Sequence, residues 1–589
     1  MNYPIWDVPA SGLLIAAVAI VHVFISHFAV GGGLFLVLAE RRARRERDEA
    51  LLGYVRLHSR FFVVLTMVLG AITGVGIWFT IGLVHPEATA SLITTFVWVW
   101  AIEWTMFLTE IAAALVYYYG WDRLSARTHL RVGWIYFWAA WLSLVVINGI
   151  LSFMLTPGAW LATRRVADAF LNPTYLPSMA GRTFAAVGLA GIYALFTAAW
   201  LKDPALKAKV ARFAGWSWVV PMAIALPLSL LWYLWAASAS GVPVREILGA
   251  KAGGLAAMMM AILRGADSGY PFAQRAALVG LAGSVAALVI TLVIVLVRPR
   301  TFGRPLAAAV MLAGFAALGG AEWVREDLRK PYVIGQYMLV NGVRLPPRPA
   351  VPAPTPEAVA ALRGDRFTID ALNQRGVLAS SPWVRLPGEA QSASPAGQAA
   401  YLSARGREVF RLECARCHTV DGYLAIRPLV TGKSASALGG TIDRLARPVN
   451  ASGQPARWDE PGLQLVTWRG RRMPPFVGTP EERDALAAYL ALLGGQSAES
   501  LAAPMGAAGG AGEASFEERC AACHGPGTDW PMGPRVRGRT AEQFYDLLGR
   551  LPQINEAMPP FDGTDAERRA LAAYIATLRA PAGENGGLR

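Results

Sequence analysis

The chain of 589 residues is 54% hydrophobic, holds 20 Trp and only 16% charged residues, proportions that exclude an ordinary soluble enzyme of this length. Its formal net charge of +14 would suit a nucleic-acid partner, but the arginines gather in short loops between apolar runs, the patterning of a membrane protein, and no nucleic acid is expected. The four Cys fall as two pairs of identical spacing, so no disulfide framework is needed to account for them.

Runs long enough to cross a bilayer, about 20 residues each, occupy 12–39, 61–84, 92–119, 132–155, 183–201, 213–238, 273–297 and 305–321 and predict eight spans. The first follows a stretch with neither a basic n-region nor a small-residue cleavage site and is expected to be retained. Basic residues mark alternate loops: ERRARRERDE, DRLSARTHLR, KDPALKAKVAR and RPRTFGR. The positive-inside rule then puts those loops in the cytoplasm and the N-terminus outside, and an even number of spans returns residue 322 onward to the periplasmic side of a bacterial inner membrane.

Inside the spans, ionisable groups are costly and mark function. His22 lies in the first span, roughly 15 Å from its outer end at 1.5 Å per residue. His27 is about 140° further around that helix, so the two do not serve one iron. Glu103 and Glu110 sit seven residues apart in the third span and share a face, a carboxylate column of the kind that carries protons. Interhelical hydrogen bonding is the plainer alternative for both. His85, before Pro86, is a candidate ligand for an additional cofactor, and His58 reads as a residue of the membrane interface.

Residues 344–395 change character to RLPPRPAVPAPTPEA and a Ser/Ala/Gly run, and read as a semi-extended linker after the membrane domain 1–343. Beyond it, Cys414-Ala-Arg-Cys417-His418 and Cys520-Ala-Ala-Cys523-His524 are both C-x-x-C-H, in which two thiols form thioethers to haem vinyl groups and the adjacent His ligates the iron. Met473 and Met558 open the gapless repeat MPPFVGTPEERDALAAYLALL and MPPFDGTDAERRALAAYIATL, and each is the expected sixth ligand, a thioether that raises the potential of a low-spin iron. Two covalent haems c are therefore predicted, in small all-α domains at 396–495 and 513–580 that resemble class I cytochromes c. The Gly/Ala-rich segment 496–512 joins them and suggests tandem domains free to adjust; 581–589 is a tail.

AIEWTMFLTEIAAALVYYYGWDRLSARTH in the third span resembles subunit I of cytochrome bd-type oxygen reductases, as does VHVFISHFAVGGGLFLVLAE in the first. A third stretch, EDLRKPYVIG from Glu326, is similar to that family's Glu-x-x-Arg-x-Pro-aromatic segment. The resemblance covers roughly residues 10–340. It implies an all-α polytopic bundle, His22 as the ligand of a high-spin haem, Glu326 as the carboxylate at a second with Arg329 beside it, and one or two non-covalent haems of b or d type. His129 also matches, near a helix start where a hydrogen bond is its expected role. Departures are equally informative. Arg182 stands where the family has a low-spin haem His, the run AALVGLAGSVAALVI after Arg275 has no Met where the family has a ligand, and the loop 239–271 lacks the quinol-loop Glu residues, with Lys251 in the corresponding region.

Loss of the quinol side and gain of two outward haems c point to a cytochrome-c-linked bd-like oxidoreductase. Electrons from a periplasmic cytochrome c or another donor would reach the site near His22 and Glu326, with Glu103 and Glu110 supplying protons for reduction of dioxygen to water; nitric oxide reduction is a close variant. The alternative is a non-catalytic, membrane-anchored dihaem conduit. Membrane lipid and a second membrane subunit are the other expected partners.

Overall fold

The structure is a computed structural model that describes residues 6, 8, 11–248, 255–264, 271–346, 367–384, 386, 395–467, 473–497, 511–525, 528, 530–536, 538–555 and 558–578. Lys251, most of the 496–512 segment and the 581–589 tail lie outside the described residues. The chain forms two compact units, one holding residues 12–342 and the other built chiefly from Ala361–Arg589.

Among the described residues, eight helices of the first unit are long and apolar enough to span a membrane: Ser11–Glu46, Glu49–Val84, Val97–Tyr119, Ala126–Phe153, Tyr175–Ala198, Pro204–Ala239, Phe272–Val297 and Arg304–Arg329. They coincide with the eight apolar runs, and the protein is a multi-pass membrane protein of the all-α class. Lipid tails solvate apolar surface as well as a core does, so the spans leave much of it outward: Trp98 is 78% exposed and Leu312 70%. Between the spans, Phe28 stacks on Tyr193 with ring centroids 3.9 Å apart, and Phe35 and Phe62 pack into the same buried cluster.

His58 lies in that cluster with no exposed surface, 2.9 Å by Nδ1 from Thr197 Oγ1. Asp48 caps the second span by accepting from Leu51 N at 2.8 Å, so the helix begins at Glu49, well before the apolar run, and His58 packs between helices.

Backbone irregularities fall where later residues need placing. The second span passes through a π-helical turn at Leu65–Gly70, just before Thr73 and Gly74. The sixth does so at Gly215–Val219, immediately before Pro221, whose missing N–H and bulky ring disturb the preceding hydrogen bonds. The seventh and eighth spans cross with their backbones touching: a Cβ on Gly320 would stand 2.5 Å from Gly280 N. Past the eighth span, Tyr332–Ile334 and Met338–Leu339 form a small antiparallel hairpin. Gly335 N bonds to Met154 O at 2.8 Å, and Ile334 and Met338 pack on Phe96, Phe153 and Trp160, which fixes the end of that span.

At the Glu46 end of the first span, Glu40 is completely buried and gathers donors from three directions. Tyr117 OH donates to it at 2.8 Å, Arg44 Nε at 2.7 Å, and His129 Nδ1 lies 2.9 Å away. The second ring nitrogen of His129 faces Tyr117 O at 2.8 Å, so both are occupied in a structural bond network.

In the second unit, each cytochrome-like domain is a pair of packed helices bracketing the Cys pair: Pro395–Glu413 on Pro480–Leu493, and Ala511–Arg519 on Asp565–Thr577. Thr479 with Glu482 and Thr564 with Glu567 form full capping boxes at the two closing helices. Domain 1 also has an antiparallel pair, Ala446–Val449 with Gln464–Thr467. Part of the expected linker is folded. Ile369–Arg375 is a helix, Val377 and Leu378 enter the domain 1 core, and their N–H groups donate to buried Glu482 at 2.9 and 2.8 Å. The scattered Ile369, Leu372, Val377 and Leu378 were hidden in a segment dominated by Pro, Ala and Gly. Nor do the two domains stand apart, because the domain 1 helix Ala435–Asp443 packs directly on Ala511–Arg519 and Ala521–His524.

Removing one partner from a buried ionic network leaves the others uncompensated, at about 3–5 kcal/mol. Glu40→Ala is expected to destabilise the detergent-solubilised protein by that order in thermal unfolding, whereas Glu46→Ala, a surface charge, should change it by about 0–1 kcal/mol.

Candidate haem-binding sites

In each C-terminal domain the first Cys opens one tight turn. Cys417 N and His418 N both bond to Cys414 O, at 3.1 and 2.9 Å; Cys523 N and His524 N bond to Cys520 O at 3.1 and 2.8 Å. His418 Nδ1 then lies 2.8 Å from Leu424 O and His524 Nδ1 2.8 Å from Trp530 O, in both cases a carbonyl six residues on. Such a bond fixes the tautomer and turns Nε2 into the coordinating nitrogen. Burial pushes the Cys414 thiol up and the Cys520 thiol up to about 12. Among the described residues they join no cluster of three or more His, Cys, Asp or Glu. The donor set fits a covalently attached haem.

The Met-bearing loops are tied back to these turns by the residue before the first Cys. Glu413 accepts from Val477 N at 3.2 Å, and Arg519 pairs with Asp562 at 2.8 Å; Val477 and Asp562 each lie four residues past their Met. Burial holds the Glu413 carboxyl well above the usual carboxylate range. Domain geometry is thus repeated with different charge.

A signal that sequence reading passed over fixes the helix pairing. Gly406 and Gly512 stand eight residues before Cys414 and Cys520, and a Cβ on either would reach within 2.0 Å of the Ala485 or Ala570 carbonyl oxygen. Phe410 meets Tyr489 at 5.8 Å and Phe516 meets Tyr574 at 5.4 Å. The Gly-x-x-x-Phe-x-x-x-Cys spacing, present twice, could have been read from the chain.

Among the membrane residues, His22 Nδ1 is 3.0 Å from Thr73 Oγ1, and a Cβ on Gly74 would meet the ring at 3.1 Å, so the second span shapes the space around this imidazole. Glu110 is buried and accepts from Tyr136 OH at 2.9 Å; Glu103 accepts from Ser143 Oγ at 3.1 Å. Both donors sit on the fourth span, seven residues apart, so the column faces that helix. Tyr117, seven residues past Glu110, continues it to Glu40. A small cavity lined by Gly33, Val37, Phe62, Ala114, Tyr117 and Tyr136 lies between the two tyrosines.

Glu326 is held by Arg329, whose Nη2 reaches both carboxylate oxygens at 2.7 and 2.6 Å, while Nη1 lies 3.4 Å from Met154 Sδ. Among the described residues no hydrogen bond or ion pair joins His22 to Glu326. Arg182 is buried and pairs with Glu322 at 3.0 Å, and Arg325 reaches the same carboxylate at 2.8 Å. An arginine engaged in this way does not fit a low-spin haem ligand. His27 bonds through Nδ1 to Val23 O at 2.8 Å and leaves Nε2 buried without a partner among the described residues. Sequence reading missed Glu322 and Arg325, which only the helix crossing brings to Arg182.

Residues 11–264 match the cytochrome bd terminal oxidase subunit I family, 403–493 match cytochrome c, and 507–575 match the cbb3-type cytochrome c oxidase subunit III family. The chain carries a cytochrome bd subunit I domain followed by two cytochrome c domains. It is a membrane haem electron-transfer protein of oxidoreductase type, and its cytochrome c domains imply covalent haem c. The bd oxidase of Geobacillus thermodenitrificans is a similar solved structure, with 17% identity, a TM-score of 0.45, and coverage of 56% of this chain and 89% of that one. No curated protein matches. His22, Glu103 and Glu110 lie within the matched bd segment; Glu326 and Arg329 lie beyond it.

Overpacking a tight contact costs about 1–3 kcal/mol. Gly406→Ala and Gly512→Ala should each lower the stability of one cytochrome c domain by that amount in denaturant titration, leaving the other transition in place.

Proposed function

We propose that the protein is a cytochrome-c-linked terminal reductase: electrons from a periplasmic cytochrome c pass by way of two haems c to a high-spin haem site in the membrane, where dioxygen takes four electrons and four protons to give two waters. Bound haem would supply one-electron exchange in the cytochrome c domains and gas binding in the membrane domain. Cys414, Cys417, His418 and Met473 hold the first haem c, and Cys520, Cys523, His524 and Met558 the second. His22, steadied by Thr73, and Glu326, steadied by Arg329, are the membrane ligands, for a haem of b or d type.

The column of Glu103, Glu110 and Tyr117 carries the reading. Two carboxylates in one span are expensive to keep. A conduit that only relays electrons has no use for them, whereas a reaction that consumes protons in the membrane needs groups able to gain and release one at that depth. The Tyr136 hydroxyl lies 2.9 Å from Glu110 Oε1 and 3.0 Å from Ala29 O on the first span, which bears His22, so its single proton is shared between the two acceptors. Arg182 in an ion pair argues against quinol as donor, because quinol oxidation in this family uses a low-spin haem at that position. Cytochrome c domains on the periplasmic side and a second membrane subunit complete the proposed assembly.

The experiment is oxygen uptake by the purified protein with reduced cytochrome c, compared with reduced quinol, and carbon monoxide difference spectra on the same sample. Uptake with cytochrome c alone, together with a carbon-monoxide-binding haem beyond the two haems c, supports the reading; absence of both leaves a conduit. His22→Ala should erase the high-spin signal and spare both haems c. Glu110→Gln should slow turnover by about 10²-fold or more, the range for loss of proton transfer, while leaving haem c reduction unchanged. Met473→Ala or Met558→Ala should lower one haem c potential.

A further inference from the structure

Arg444, just past the domain 1 helix Ala435–Asp443, turns its guanidinium onto domain 2. Its Nη1 lies 3.2 Å from Arg519 O and 3.4 Å from Glu518 O, the carbonyls of the two residues before Cys520. The opposite edge, Nε and Nη2, is buried and has no partner among the described residues. Two parallel N–H donors on one guanidinium edge match a carboxylate in fork geometry, and leaving them buried and unmade is destabilising.

The contact is built. Ser434 Oγ donates to Glu517 Oε2 at 2.8 Å on the same face. Gly440 lets the helices close, since a Cβ there would stand 2.5 Å from Glu518 O and 3.3 Å from Arg444 Nη2. The helix packs as well on Ala521–His524, the second haem-attachment turn. Arg444 also acts electrostatically on the Cys520 thiol, opposing the larger upward push of burial.

We propose that Arg444 of the first cytochrome c domain binds a propionate carboxylate of the haem held by the second, so that one domain completes the other's haem pocket. This rests on the reading that Cys520, Cys523 and His524 hold a covalent haem. The guanidinium is then a positioning residue with an electrostatic consequence: a fixed positive charge favours the reduced, less positive haem and raises its potential. It also locks the two haem domains into one arrangement for transfer between them.

The test is a redox titration of the full-length protein and its Arg444→Gln and Arg444→Lys variants, with covalent haem counted on each sample by pyridine haemochrome. With two haems c attached, Arg444→Gln should shift one wave to lower potential by roughly tenfold in the reduction equilibrium, ~59 mV for one electron, and leave the other in place. Arg444→Lys, which keeps the charge and loses the fork, should shift the same wave by less. Two attached haems with unmoved waves, or waves that move together, would overturn the assignment. Should Arg444→Gln lose its second haem, Arg444→Lys decides alone by the same criterion. A native protein with fewer than two covalent haems would instead overturn the underlying haem reading.

Discussion

An ionisable side chain within a bilayer has no water to turn to, and the membrane unit is arranged around that requirement. Each charged group deep in a span is met from another helix or from the next turn. Glu40 in the first span is met by Tyr117 of the third and His129 of the fourth; Glu110 and Glu103 in the third by Tyr136 and Ser143 of the fourth; Arg182 in the fifth by Glu322 of the eighth. These bonds fix which faces of otherwise interchangeable apolar helices meet. Apolar packing, with small residues at the seventh and eighth spans and aromatic rings around Phe28, then brings the helices close.

The cytochrome c domains follow a different logic, in which the constraint is covalent spacing and not solvation. A C-x-x-C-H turn is too short to vary, so both copies have the same backbone bonds and the same His Nδ1 anchor six residues on. Around that invariant piece the chemistry diverges. Glu413, whose carboxyl burial pushes above the usual carboxylate range, ties the Met loop of domain 1, while Arg519 with Asp562 does so in domain 2. One geometry is therefore supported by unlike charges, which gives two otherwise equal electron carriers different electrostatic surroundings.

The eight spans were legible because hydropathy over about 20 residues is a strong signal, and the haem turns because every Cys takes part in one. What escaped the sequence is the set of pairings that only three-dimensional crossing reveals. Glu40 lies next to an arginine-rich loop and looks like surface charge until His129, 89 residues away, is brought beside it. The burial of His58 between helices escaped the sequence as well, because the apolar run starts after this residue while the capped helix starts before it. Residues 367–384 carried a weak apolar pattern inside a Pro- and Ala-rich stretch, and the acceptor that orders them, Glu482, is more than 100 residues downstream. Gly406 and Gly512 were legible in principle, since the repeat prints their spacing twice.

Hydrogen-bond completeness separates finished structural networks from those with room for an acceptor. Around Glu40 both His129 nitrogens are matched and the tyrosine and arginine converge on one carboxylate, so nothing remains to be bound. Around Glu322 the balance is different: Arg182 Nε and Arg325 Nη1 stay buried without partners among the described residues, although both guanidinium groups already share one carboxylate. Arg444 is in the same state beside the second haem turn. Since an orphaned buried donor is destabilising, a fold retains such groups where something other than its own chain satisfies them. Composition alone could not have distinguished these three arginines from the other basic residues of the chain, because only the helix crossings and the contact between the two cytochrome c domains bury their donors.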